Sequence, residues 1–138
     1  MSPDYTGLDP DFATRIKALM VVAKMKDLCL SWQCGYRSPA ESDRLYAAWV
    51  AGGHKGPRAA PGGKSAHNYG LAVDFLCLDA KGNVIGSSDA PEYQLLEQLA
   101  VRYGLKTLRA LNDGGHVELD GWEDRVKFLD VQGGSSTV

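Results

Sequence analysis

The sequence predicts an α+β domain built as a small, mostly antiparallel sheet flanked by about three helices. Three observations predict it. Apolar residues recur at helical spacing in three separated stretches, and short alternating stretches bounded by turn residues lie between them. The chain has 138 residues, 44% hydrophobic and 23% charged, enough for one core burying about two thirds of the unfolded surface. With no internal repeat and no linker, residues 1–138 read as a single domain.

The elements follow in order. Asp9 and Pro10 form a cap and first-turn proline, opening a helix to about Lys26 whose core positions are Phe12, Ile16, Leu19, Met20 and Ala23. "LCLSWQC", Leu28 to Cys34, alternates as a strand does. "SPAE" at Ser38 to Glu41 is a capping box that starts a second helix to about Ala51, with Leu45, Tyr46 and Trp49 as its buried stripe. Residues 52–66, "GGHKGPRAAPGGKSA", are irregular, since five glycines and two prolines exclude regular structure, and His54, Lys55, Arg58 and Lys64 make them basic. A strand over 71–78 turns at "DAKGN" to a partner near Val84. Ser88 or Asp89 caps a third helix running from about Pro91 to Tyr103 through Leu95, Leu96, Leu99 and Ala100. "LNDGGHVELD" holds a turn and a short strand from His116; a helix over Trp122 to Leu129 precedes a tail expected to fray from about residue 131.

Composition excludes several classes. A net charge of -2 and a pI near 5.9 are far from the basic balance of a nucleic-acid binder. No run reaches the 18 or so apolar residues that span a bilayer, and "MSPDYTGLDP" has neither a basic start nor an apolar stretch, so synthesis in the cytoplasm without a signal peptide is expected. The cysteines, Cys29, Cys34 and Cys77, are odd in number and form no C-x-x-C pair, which argues against a disulfide framework. Cys29 and Cys77 lie in apolar runs and read as packing residues; Cys34 adjoins Gly35 and the motif below.

The informative stretch is "SAHNYGLAVDF", Ser65 to Phe75. Two ligands on one tetrahedral zinc have donor atoms about 3.3 Å apart. The seven residues from His67 to Asp74 would span roughly 10 Å on a helix or roughly 23 Å on a strand. The chain must therefore turn, and Gly70 is where it turns at least cost. Beyond it Leu71, Val73 and Phe75 alternate with Ala72 and Asp74, giving one greasy face and one bearing the carboxylate. By itself the pair is compatible with a loop histidine and an aspartate satisfied by backbone amides. A third ligand is available in His116, which follows two glycines and is flanked by Asp113 and Glu118. Two histidines and a carboxylate, with the fourth position left to water, form a catalytic zinc pattern that also needs a general base.

Ser65-x-His67-x-x-Gly70-x-Ala72-x-Asp74, then Asp113-x-x-His116, preceded by "GYRS" at Gly35 to Ser38, resembles the zinc D-alanyl-D-alanine carboxypeptidases and dipeptidases and the phage L-alanyl-D-glutamate endopeptidases. The resemblance covers roughly Leu8 to Leu119 and implies the hedgehog/D-Ala-D-Ala peptidase-like fold. It implies zinc as cofactor, with His67, Asp74 and His116 as ligands, Asp113 as general base, and Arg37 as the group set against the substrate carbonyl. Ser65 would hydrogen-bond the substrate backbone, or serve only as a cap. Strand alternation alone favours Glu118 as the base, because 116 and 118 share a face. The family pattern favours Asp113, with Gly114 and Gly115 folding it back over the metal and Glu118 orienting a ligand histidine. Tyr36, Tyr69 and Trp122 are aromatic candidates for a cleft wall, each as readily core residues.

The function expected on this resemblance is hydrolysis of peptidoglycan stem peptides, most specifically by a monomeric phage-type endolysin that cuts L-alanyl-D-glutamate bonds. Such an enzyme would be made in the host cytoplasm and released to the wall. A D-alanyl-D-alanine carboxypeptidase with the same site is the alternative, and a non-catalytic hedgehog-like zinc module a more distant one. The basic segment 52–66 could attract the carboxylates of stem peptides.

Overall fold

A computed structural model describes residues 2–56 and 58–127. Helices α1 (Pro10–Met25), α2 (Pro39–Ala51) and α3 (Pro91–Val101) accompany strands β1 (Cys29–Cys34), β2 (Ala72–Leu78), β3 (Leu105–Leu108) and β4 (Asp113–Leu119). The strands form one antiparallel sheet in the order β1-β2-β4-β3. Residues 122–127 are helical; the expected end of that helix and the expected frayed tail lie outside the described residues.

One face of the sheet makes the core. Val73, Phe75 and Cys77 from β2 and Val117 from β4 pack with Phe12, Ile16 and Leu19 of α1 and Leu96 and Leu99 of α3, all essentially inaccessible to solvent. Each such large apolar side chain contributes about 1.5–3 kcal/mol of burial. Alternation then presents Asp74 on β2 and His116 and Glu118 on β4 to the opposite face. The helical starts are chemical: Asp9 accepts from Phe12 N and Ser38 from Glu41 N, each with proline in the first turn.

Several expectations are corrected. β3 was not anticipated: "LKTL" is a four-residue edge strand too short for alternation to register, and its Lys106 is the kind of charge that protects an exposed sheet edge. The partner strand at Val84 is a single bridge to Leu78, because the chain leaves the sheet directly after the Asp79–Asn83 turn. Neither Ser88 nor Asp89 caps α3, whose N-cap is Ala90 without a side-chain bond. Ser88 Oγ instead accepts from Gly114 N at 2.9 Å, and Asp89 faces Arg109. On α2 only Ser42 is buried; Leu45 and Trp49 form a cleft wall over the polar face of the sheet rather than a core stripe. Cys29 is exposed on edge strand β1, whereas Cys77 is buried.

Candidate metal centre

Three local devices bring distant residues together. Ser65 caps a short 3-10 turn, Ala66–Tyr69, that carries His67, and Gly70 ends it in the left-handed region at φ 69°. A Cβ there would come within 2.3 Å of the Gly7 carbonyl, so position 70 requires glycine for both conformation and close approach. The chain then enters β2, where the sheet register sets Asp74 directly opposite His116. Gly115 allows β4 to pass close to β2, since a Cβ at that position would fall 1.9 Å from the Phe75 carbonyl oxygen. Between Val117 and Asp113 the register against β3 shifts, a bulge that re-aims the start of β4.

The result is a tight cluster. His67 Nε2 lies 3.2 Å from Asp74 Oδ2, and His116 Nδ1 lies 2.9 Å from Asp74 Oδ1. The two imidazole centroids are 5.1 Å apart. Each ring is fixed from behind. His67 Nδ1–H donates to the Gly35 carbonyl at 2.7 Å, and His116 Nε2–H donates to Glu118 Oε1 at 2.7 Å. That choice of tautomer leaves Nε2 of His67 and Nδ1 of His116 as the nitrogens facing Asp74. This is the arrangement by which proteins orient histidines toward a cation. The two spacings about Asp74 are close to the roughly 3.3 Å edges of a tetrahedral zinc site, each through a different carboxylate oxygen, so these residue types suit such an ion. Among the described residues, the three whose ligand atoms lie within 4.8 Å of one another are Cys34, His67 and Asp74.

Electrostatics describe the same cluster without a cation. Burial opposes charge on His67, but its hydrogen bonds with Asp74, Cys34 and the Gly35 carbonyl, together with the Asp74 charge, outweigh it and push its pKa up to about 10. His116 is likewise pushed up to about 9, burial being overcome by Asp74 and Glu118. Burial alone would raise Asp74, yet the two imidazoles hold it well below the ordinary carboxylate range.

The remaining expected residues line one cleft. Its wall includes Arg37, Ser65, Asp113 and Trp122 together with Lys55, Arg58 and Lys64 of the basic segment, and its volume is about 960 Å³. Arg37 Nη2 is 3.7 Å from Asp74 Oδ2. Loss of hydration in the cleft raises the pKa of Asp113, with the Asp74 charge adding to the rise against the pull of His116, Arg58 and His67. Ser65 is occupied as a cap, its Oγ accepting from His67 N at 3.2 Å, while still bordering the cleft. Tyr69 stacks at a tilt on Trp122, centroids 5.9 Å apart, and Tyr36 is exposed beside Gly7.

The sequence profile of the D-alanyl-D-alanine carboxypeptidases, VanY, matches residues 6–122. The chain belongs to this family. The peptidoglycan L-alanyl-D-glutamate endopeptidase CwlK of Bacillus subtilis (strain 168) is 34% identical over 83 residues, 60% of this chain and 50% of that protein, so the chain spans half the length of this relative. Among solved structures, a vancomycin-resistance D,D-pentapeptidase VanY from a VanB-type cassette, crystallised as a mutant with Zn(II), superposes with a TM-score of 0.64 at 20% identity, covering 87% of this chain and 76% of that one. The L-Ala D-Glu endopeptidase ChiX of Serratia marcescens gives 0.58 at 23% identity over 83% and 82%. The L,D-carboxypeptidase DacB of Streptococcus pneumoniae gives 0.62 at 23% identity over 96% and 77%. These likenesses establish the VanY-type fold.

Three contributors to this cluster were not anticipated or were given little weight. The Gly35 carbonyl is a backbone atom and leaves no trace in residue type. Cys34, expected at most to adjoin the motif, sits in the cluster, its Sγ 3.4 Å from Arg37 Nη2. Asn68, buried, is a hub. Its Nδ2 donates to the Arg37 carbonyl and to Ser42 Oγ, and its Oδ1 accepts from Gly63 N and Ser65 N. The Ser65-x-x-Asn68 spacing of a capping box was the available signal. Asn68→Ala is expected to destabilise the fold by on the order of 2–4 kcal/mol, because it strands several buried partners at once. The urea midpoint should fall at an unchanged m-value.

Proposed function

We propose that this VanY-family chain is a zinc metallopeptidase that hydrolyses peptidoglycan stem peptides, cutting the L-alanyl-D-glutamate bond as a phage-type endolysin does. One observation carries the reading: both histidines are braced from behind so that the other ring nitrogen of each faces Asp74. The name of the CwlK relative supplies the bond. When bound, zinc supplies a Lewis acid for the scissile carbonyl and lowers the pKa of its water. His67, Asp74 and His116 would hold it, three ligands that leave one position free.

The other residues divide the work. Asp113 takes the proton of the attacking water and passes it to the leaving amine; a carboxyl raised above its ordinary pKa is closer to the optimum for that exchange. Arg37 places its guanidinium against the oxygen on which negative charge develops. Glu118 holds the His116 ring, and Ser65 borders the path of the substrate backbone. Lys55, Arg58 and Lys64 give the cleft a positive wall for a peptide rich in carboxylates.

A second reading has its own support: the family profile is that of D-alanyl-D-alanine carboxypeptidases. Mass spectrometry of digested muropeptides separates the two. An endopeptidase leaves the alanine on the sugar and frees the rest of the stem, whereas a carboxypeptidase removes a terminal alanine alone. Either activity should vanish on chelation and return with zinc. Turnover that survives complete chelation, or no product from any muropeptide, would reject the proposal.

The titration of the cluster gives a further prediction. His67 and His116 retain protons above their ordinary 6.5, so their stabilisation of the metal-free protein is complete below that pH and is lost as pH rises through about 9 to about 10. Asp74 acts oppositely, its contribution being present above 3.8 and lost as pH falls below it. Zinc must displace the imidazole protons. Calorimetry at neutral pH in buffers of different ionisation enthalpy should therefore show proton release on loading, and the melting-temperature gap between loaded and chelated protein should widen from neutral to alkaline pH. A buffer-independent binding enthalpy would contradict this.

A further inference from the structure

We propose that Cys34 is a conditional fourth ligand of the metal centre, a thiolate that thiophilic cations draw into the coordination position otherwise left to water and substrate. The inference rests on the reading of His67, Asp74 and His116 as the other ligands.

The geometry points there through the sheet. β1 pairs Cys34 with Asp74, and β2 pairs Asp74 with His116, so three adjacent strands present Cys34, Asp74 and His116 along one rung. Simple alternation would have put residue 34 on the face of Trp32, which is buried in the core. The register shift between Trp32 and Cys34 turns the thiol instead toward the cleft side of the sheet, the re-aiming that a bulge performs. Residues directly opposite across strands bring their Cβ atoms to about 4.5–5.5 Å.

The side-chain atoms agree. Ligand-type atoms of Cys34, His67 and Asp74 all lie within 4.8 Å of one another. A sulfur and a nitrogen on one tetrahedral zinc are about 3.5 Å apart, so a modest rotation of the cysteine side chain closes the gap. The Sγ–H donates to the Gly35 carbonyl at 3.6 Å, the same oxygen that holds His67 Nδ1, and Sγ accepts from Arg37 Nη2 at 3.4 Å. A guanidinium on the sulfur favours its anionic form. Neither other thiol is in such a place: Cys29 is exposed at the sheet edge and Cys77 belongs to the core.

Ligation is a ligand exchange. Sγ would give its proton to solvent and take the position that water would otherwise hold, releasing that water. Closure takes the sulfur away from Arg37 and fills the position that hydrolysis requires, so the closed state is inactive. Soft cations such as cadmium, and cobalt or zinc more weakly, favour it; magnesium does not.

The test loads the metal-free protein with one equivalent of cobalt(II). The expected spectrum has visible d–d bands of a low-coordinate centre together with a near-ultraviolet thiolate-to-cobalt charge-transfer band. That second band should persist in Cys29→Ser and disappear in Cys34→Ser while the d–d bands remain. X-ray absorption of the unsubstituted cadmium or cobalt form should independently find one sulfur neighbour, which keeps the test decisive should the Cys34 variant fold poorly. Visible bands with only nitrogen and oxygen neighbours would overturn the role of Cys34 and leave the three-ligand centre standing. No bound cobalt at all would overturn both.

Discussion

Asp113→Ala is expected to lower kcat on muropeptides by about 10²–10⁴-fold while leaving zinc bound. Two carboxylates flank His116, and they lie in different surroundings. Glu118 is buried, bonded to His116 Nε2 at 2.7 Å and 3.6 Å from Lys106 Nζ. Although burial would raise it, His116 and Lys106 hold its pKa below the ordinary range. A carboxylate so engaged is a poor proton acceptor and a good brace. Asp113 opens on the cleft, has its pKa raised, and interacts electrostatically with both histidines and with Asp74. Glu118→Gln should therefore lower zinc affinity by about 10–100-fold with a smaller effect on turnover of the fully loaded enzyme. Parallel metal-content and kinetic measurements on the two variants check this, and the reverse pattern would make Glu118 the base.

Arg37→Lys is expected to cost about 10²–10³-fold in kcat with little change in KM. The fold spends several contacts on holding this side chain. Arg37 N donates to the His67 carbonyl at 3.1 Å, its own carbonyl accepts from Asn68 Nδ2 at 2.9 Å, and its guanidinium reaches both Asp74 and Cys34. A planar fork fixed in this way cannot be reproduced by a mobile ammonium. If the substitution raised KM alone, Arg37 would be anchoring a substrate carboxylate instead of stabilising developing charge.

The legibility of this fold in its sequence was uneven for physical reasons. Helices α1 and α2 were readable to within a residue or so because Asp9-Pro10 and Ser38-Pro39 are local capping signals, and local chemistry is what a sequence displays. Gly70 was readable because the seven-residue separation of His67 and Asp74 could be bridged only by a turn. β3 was not, because a four-residue edge strand owes its existence to pairing with β4 and has little pattern of its own. The face of α2 was misread because helical periodicity reports an apolar side without saying whether core or cleft lies opposite. Cys34 and Asn68 were missed or underweighted for a related reason. A bulge decides where the cysteine points, and the partners of the asparagine come from separate segments, Arg37 and, within α2, Ser42 on one side and Gly63 on the other.

The central claim is that His67, Asp74 and His116 jointly hold one divalent cation with a position to spare. Metal analysis after exhaustive dialysis tests it most directly, applied to the unsubstituted protein and to Asp74→Ala and His116→Ala with folding checked by circular dichroism. The expected result is a single zinc ion per unsubstituted chain and loss of tight binding in both folded variants. A folded, zinc-exposed protein that retains no ion, or variants that keep it undiminished, would contradict the account.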